Sequence, residues 1–539
     1  MTVDLTRNNA VAMWAQALRY KTQRSRDFVG ACTPTEQIVG NSLFRSRAQV
    51  ASVDRLPPEL LAYIFQVLQL LVGWPQLPNC SGPTLSEAAT WIRVTWVCRY
   101  WRCVALDCPT LWASIVDSGW WNNATWLTTF LERSGETPLQ LKLDDDDADL
   151  EAAVIAIRPL IHRVCRLELW TYDQPLSSVL AQLPGRFDVL EEAELSSCYC
   201  DPSDDSPVDD ELHLSTGHFP SLRSLILANA HPAWETFSLA NLNEFHVIDA
   251  STGPYTAATL RLMRDSPHLR IFKLDFTKLA PSLEPPYDAY GTISLAYLKE
   301  FRISGTPREV TYVLDRIIVP STCSIGVCYT WNEHPGALSL IRSMFPYQLA
   351  FKNTVPHYVA LTLHLGDDHV ALFCSRGDGN ISTSLRVSGE HPAVQSIVAE
   401  DTWSSLLGAF SSSPLTRINM WFYSDTSISF PMWITLFERF PLQAVQIGFP
   451  YTYSSQLWRL QYLFDALRAP CSSKVRLLEL FDLFIDAALT DAIIDLLERR
   501  AATNIRLDTL MLFGCYLEKS LEPQEFKRRL EPYVKPVFK

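Results

Sequence analysis

His364, Asp367, Asp368 and His369 put two imidazoles and two carboxylates into a span of six positions. That mixture is a ligand set for zinc or another divalent cation. The flanking residues offer a simpler account. Val359, Leu361, Leu363 and Leu365 alternate, Gly366-Asp367-Asp368 has turn chemistry, and an apolar run resumes from Val370 to Cys374. Strand, turn and strand explain the cluster without a metal. Cys98, Cys103 and Cys108 recur at intervals of five, which winds them around a helix, whereas zinc sites use tighter pairs. Asp144 to Asp147 with Asp149, and the acidic stretch 201–211, read as solvated loops. The second lacks the ligand order of a calcium loop. The chain has no phosphate-binding glycine loop, dinucleotide fingerprint, His-Glu-x-x-His helix or nucleophile elbow. The expectation is a protein with no catalytic residues, no cofactor and no metal.

Length and composition set the frame for what positions these residues. A chain of 539 residues is too long for one compact domain. With 47% hydrophobic and 19% charged residues it has the composition of a folded protein. A formal charge of −13 argues against a general nucleic-acid binder. The 13 cysteines show no paired spacing, and the first residues lack a basic-then-apolar leader. Reduced thiols in the cytoplasm or nucleus are therefore expected. The apolar run 60–74 is too short for a membrane span and is interrupted by Gln66 and Gln69. Residues 1–52 read as an N-terminal arm with a short helix over 11–20 and dispersed basic residues.

Two patterns organise the rest. In the first, Pro57 and Pro58 suit a helix N-terminus, and Leu60, Leu61, Ile64, Val67, Leu68 and Leu71 follow at helical spacing. Glycines and prolines over 72–83 break the helix. Thr84 with Glu87 predicts a capping box that starts a second helix, with Val94, Val97, Cys98, Trp101, Val104 and Ala105 apolar. Pro109, Leu111, Trp112 and Ile115 follow. By periodicity alone this is a small helical bundle with an ordinary core.

The second pattern is apolar-x-x-apolar-x-apolar. It occurs as Val164-Leu167-Leu169, Leu190-Ala193-Leu195, Leu222-Leu225-Leu227, Leu242-Phe245-Val247, Leu269-Phe272-Leu274 and Leu298-Phe301-Ile303. It resumes as Leu415-Ile418-Met420, Leu442-Val445-Ile447, Val475-Leu478-Leu480 and Leu507-Leu510-Leu512. Two copies run on to a cysteine, Cys198 and Cys515. Helical stretches fall between strands at 257–264, 403–410, 433–440, 457–467 and 487–499. A generic α/β domain would show the same alternation of strand and helix. The segment 323–400 fits the frame poorly and reads as a hairpin-like interruption or as degenerate copies.

Both patterns resemble known families. Leu-Pro-x-Glu-Leu-Leu-x-x-Ile-Phe from Leu56, Val-Cys-Arg-x-Trp-Arg-x-x-Ala from Val97 and Pro-x-Leu-Trp from Pro109 occur in the order of the F-box. The ending Leu-Trp-x-Ser-Ile is similar to the F-box-like variant of large fungal families. The Pro- and Gly-rich insertion between the helices departs from the pattern. The six-residue frame resembles the leucine-rich repeat, whose units stack because none buries its own apolar face. The fold class these resemblances imply is α/β, a small helical F-box-like module (53–116) before an irregular leucine-rich-repeat solenoid (137–539), joined by a linking helix (117–136).

They also imply a role. The chain would be a substrate-receptor subunit of an SCF-type cullin ubiquitin ligase. The module would bind a Skp-type adaptor, and through it a cullin, by Leu56, Pro57, Leu60, Leu61, Ile64, Val97, Trp101, Leu111 and Trp112. Some of these must hold the module's own core. Strand alternation puts the residues flanking the buried ones on one face. Early in the array these are mostly charged: Arg166, Glu168, Glu192, Glu194, Glu244, His246, Lys273, Asp275, Glu300 and Arg302, with Trp170. Late in the array they are more apolar, and Trp421, Leu477, Phe481, Met511 and Phe513 are the candidate contacts for an unknown protein target. The opposing possibility is that residues 518–539 fold back over them. Neither nucleic acid nor membrane is an expected partner. A scaffold outside any ligase is the alternative role, and an enzyme within 323–400 is the third.

Overall fold

The computed structural model describes residues 56–73, 90–116, 124–144, 150–197 (without 173 and 184), 211–250, 256–276, 291–330, 349–365, 369–376, 381–388, 400–423, 427–450, 457–519 and 521–538. The arm 1–52, the Thr84–Glu87 cap, Asp145 to Asp147 with Asp149, residues 201–210, Cys198, Asp367 and Asp368 lie outside the described residues. The chain divides into two compact units, 1–111 and 112–539. No described helix is long and apolar enough to cross a membrane.

In the first unit, helix α1 spans Pro58–Gly73, a 3-10 helix spans Thr90–Trp96 and helix α2 spans Arg99–Leu106. A further short helix, α3, covers Pro109–Trp112, across the division between the units. The single helix expected through Val94, Cys98 and Ala105 is broken at Cys98. That residue is extended (φ −157°), and its sulfur accepts the Trp101 N–H as a helix cap. The buried face of α1 is Leu61, Phe65 and Gln69, with Phe65 packed on Trp101 at 5.1 Å. Gln69 is polar yet satisfied, because Nε2 donates to the Leu111 carbonyl at 2.9 Å. The Tyr100 hydroxyl donates to the Leu56 carbonyl at 2.8 Å and holds the entry to α1.

The second unit is mixed α/β around one large, mostly parallel sheet. Its strands are β1 Ser114–Val116, β2 Leu139–Asp144, β3 Val164–Thr171, β4 Glu192–Ser197, β5 Ser224–Ala228, β6 Glu244–Ala250, β7 Ile271–Phe276 and β8 Glu300–Gly305. They continue with β9 Ser324–Thr330, β10 Ala360–Leu365, β11 His369–Ser375, β12 Ile381–Ser388, β13 Arg417–Phe422, β14 Ala444–Gly448, β15 Leu477–Phe481, β16 Thr509–Phe513 and β17 Lys535–Phe538. Strands β1 to β9 lie side by side in chain order and in parallel. Then β12, β11 and β10 follow in reversed order as an antiparallel meander. Parallel pairing resumes from β10 to β13 and runs on to β17.

The recurring frame sets the register. Leu225 faces Phe245, which faces Phe272, which faces Phe301. Ile418, Val445, Leu478 and Leu510 form the matching row in the late strands. These side chains are at most 1% exposed and make one continuous core. Helices cross between strands: α4 Ala124–Arg133, α5 Leu150–Ile157, α6 Leu176–Ala181, α7 Thr256–Asp265, α8 Pro307–Leu314, α9 Glu400–Ala409, α10 Phe430–Arg439, α11 Leu457–Arg468, α12 Ala487–Ala502 and α13 Pro523–Leu530. Buried serines close several helix-to-strand turns. Ser134, Ser266, Ser413 and Ser472 are each at most 6% exposed. Three of them donate to nearby or distant carbonyls, and Ser266 accepts from the Leu242 N–H. Such bonds allow a turn to be buried without orphaned polar groups.

The interruption expected within 323–400 is the meander. Two strands there follow the frame with altered residues. Tyr358 takes the first apolar position before Leu361 and Leu363 and is fully buried, its hydroxyl bonded to Thr383. Ile325 and Val327 sit opposite Phe301 and Ile303, but Thr322 stands where the frame has an apolar residue. Strand β12 carries no frame at all.

Candidate protein-docking surfaces

The first unit sorts the nine candidate adaptor contacts by burial. Leu61 and Leu111 are fully buried and Trp101 is 2% exposed, so these three hold the unit's own core. Trp112 belongs to the second unit, where it packs edge-on against Phe130 at 5.0 Å with the Arg133 guanidinium 4.5 Å from its ring. Pro57 and Leu60 are exposed, and Leu56, Ile64 and Val97 are half-buried. Two further residues join the exposed set, Tyr63 at 63% and Trp96 at 70%. Leu60, Tyr63, Ile64 and Val67 lie at i, i+3, i+4 and i+7, a second apolar face of α1 next to the one that packs inward. A signal for this was present: α1 has apolar residues on more of its circumference than one packing partner covers.

Cys98, Cys103 and Cys108 diverge, as helical winding implies. Cys98 caps α2, Cys103 is exposed, and the Cys108 sulfur lies 3.2 Å from the Thr110 hydroxyl. Among the described residues no three His, Cys, Asp or Glu side chains converge as a metal site. His364 sits among aromatic rings, 5.0 Å from Phe373, 5.6 Å from Tyr423 and 6.2 Å from Trp421.

On the sheet, the early and late strands present different chemistry. The early face is an ion-pair ladder. Glu168, 6% exposed, takes Arg166 at 2.9 Å and Lys142 at 3.7 Å. Arg166 reaches on to Glu192 at 2.9 Å, and Lys142 also lies 4.9 Å from the Trp170 ring. Glu300 takes Lys273 at 2.9 Å and Arg302 at 2.8 Å, and Asp275 accepts from Ser304. The His246 imidazole, 3.2 Å away, holds the Glu244 carboxyl below its ordinary range. Burial, then the charge of Glu168, push Glu194 up. These charges are largely spent on one another, so the early face offers few unpaired ones to a partner.

The late face carries an aromatic row. Register places His364, Trp421, Gly448, Phe481 and Phe513 side by side on β10, β13, β14, β15 and β16. Ring centroids are 5.3 Å apart for Trp421 and Phe481 and 4.6 Å for Phe481 and Phe513. The row is continuous because β14 contributes a glycine. A Cβ on Gly448 would sit 2.3 Å from Trp421 Cε3, so the indole lies over the space a side chain would fill. Leu477 and Met511 flank the row on the same face. All five candidate target contacts, Trp421, Leu477, Phe481, Met511 and Phe513, are half-buried. The C-terminal tail adds to the sheet edge as β17, with Lys535 opposite Thr509 and Val537 opposite Met511.

Gly448→Val tests this packing. The new side chain must displace the indole, so we expect about 1 to 3 kcal/mol of lost stability in urea unfolding. Near-UV circular dichroism should change with it. In a Trp421→Ala background the same substitution should cost much less, because the clash partner is gone.

Comparison with protein-family models finds no match, and comparison with curated proteins finds none either.

Proposed function

We propose that the chain is a target-receptor subunit of an SCF-type cullin ubiquitin ligase. The first unit is read as an F-box-like adaptor-binding module and the sheet unit as a degenerate leucine-rich-repeat solenoid that holds a protein target. One observation carries this best. Among its described residues, a small helical unit that buries Leu61, Phe65, Trp101 and Leu111 also leaves Leu60, Tyr63 and Trp96 more than half exposed. Large apolar side chains beyond what a core needs mark a binding surface. The resemblance of the surrounding residues to three F-box submotifs supports a Skp-type adaptor as the partner. The in-register ladder supports the solenoid, since stacked identical frames are how such units close their core. In this reading the chain does no chemistry and acts by holding a target near a ubiquitin-loaded enzyme.

Binding of purified full chain to purified Skp-type adaptor tests the proposal. Leu60→Asp with Trp96→Asp should weaken it by about 100-fold, from roughly tenfold per lost anchor. The thermal melt should stay near wild type, because both side chains are exposed. Absence of adaptor binding by the unmutated chain, or indifference to the double variant, would reject the reading. Recruitment of a cullin through the bound adaptor separates a ligase subunit from a scaffold.

A further inference from the structure

The residues beside the aromatic row carry a second chemistry. Asn419, Gln446, Glu479 and Met511 form the adjacent row across β13 to β16. Two oxygens in it, Asn419 Oδ1 and Glu479 Oε2, are buried and accept no hydrogen bond. Glu479 as a whole is 8% exposed. Arg417 forms an ion pair with its Oε2 at 3.8 Å, which is longer than a hydrogen bond. Buried acceptors without donors are rare in folded proteins, and a buried carboxylate oxygen especially so. Here they lie next to the Trp421 and Phe481 rings, on the face that the sheet turns outward.

We propose that this surface receives an arginine side chain from an extended, basic segment of the target. The guanidinium rests against the rings of Trp421 and Phe481, and its N–H groups donate to Asn419 Oδ1 and Glu479 Oε2. Arginine fits better than lysine. Its plane stacks on aromatic rings and its five donors point in several directions, whereas an ammonium is a strongly hydrated point charge. The net charge of −13 favours approach of a basic segment. Arg417 competes for the same carboxylate, so its removal helps the ligand. The inference rests on the target-binding reading above and names the chemistry of that surface.

A random-peptide display selection on the full chain tests it, followed by affinity measurement on the best peptide. Arginine should dominate one position of the enriched peptides. Replacing that arginine by citrulline, the neutral isostere, should weaken binding at least about tenfold. Glu479→Gln should do the same, and Arg417→Gln should strengthen binding by roughly two- to fivefold. The citrulline peptide needs no variant, so the test stands even where Glu479→Gln folds poorly. Peptides without arginine that lose binding in Trp421→Ala and Phe481→Ala would overturn the arginine inference and leave the docking surface. Peptides indifferent to both ring variants, or no enrichment at all, would overturn the inference together with the target-binding surface.

Discussion

Arg500→Met is expected to lower the stability of the sheet unit by about 3 to 5 kcal/mol. Arg500 is on α12 and has no exposed surface. Its guanidinium donates to the Leu467 carbonyl, to Ser472 Oγ at 2.8 Å and to the Val475 carbonyl at 2.9 Å. Those acceptors line the turn that leads from α11 into β15, so one side chain pins a helix to the preceding crossover. Burial lowers the group to a pKa of about 10, which keeps it protonated and donating at neutral pH. Methionine fills part of the volume but leaves several buried acceptors without donors. Arg500→Lys should recover less than half of the loss, since one ammonium cannot span acceptors so far apart. Urea unfolding followed by far-UV circular dichroism checks both. A loss below about 1 kcal/mol for the methionine variant would mean that the turn is held by other bonds.

Phe272→Ala should cost a comparable amount, about 3 to 5 kcal/mol. Phe245, Phe272 and Phe301 lie side by side on three adjacent strands, with centroids 5.9 and 5.5 Å apart. All are at most 1% exposed, and Phe272 is the middle ring. Its removal opens a cavity that neighbours on both sides border, and the parallel strands cannot close onto it without breaking register. Lost aromatic contacts add about 0.5 to 1.5 kcal/mol per pair to the transfer cost. Phe481→Ala, on the half-buried outer face, should cost far less. That contrast, measured in the same urea series, separates core rows from surface rows. Equal losses at the two positions would argue that the outer aromatic row is structural.

The strand ladder was legible in the sequence because a one-residue slip would turn every apolar side chain to the wrong face. Ten copies of the frame therefore predicted ten strands, and all ten pair as neighbours in register or border the meander. Five of the helices between strands were legible for the same reason at the helical period, as with 457–467 against Leu457–Arg468, whereas the short helices Leu150–Ile157, Leu176–Ala181 and Pro307–Leu314 were not. The copy led by Tyr358 is not distinct in the sequence, because a tyrosine suits that buried position only when Thr383 partners its hydroxyl, and Thr383 comes from a strand with no frame. The reversed order of β10 to β12 is likewise a matter of which edges meet in space.

What the sequence determined alone was periodic: which segments are strands or helices, and which side of a strand faces the core. Tertiary structure decided what periodicity cannot express. Leu60 and Leu61 are adjacent and equally apolar, yet one is 51% exposed and the other fully buried. Successive helical residues point about 100° apart, and the packing around Phe65 and Trp101 covers only one of the two directions. Arg500 reads as a surface residue of a basic helix end, until the α11 turn supplies the carbonyls that let it be buried. The aromatic row depends on Gly448, whose missing side chain is informative only once Trp421 is known to lie beside it.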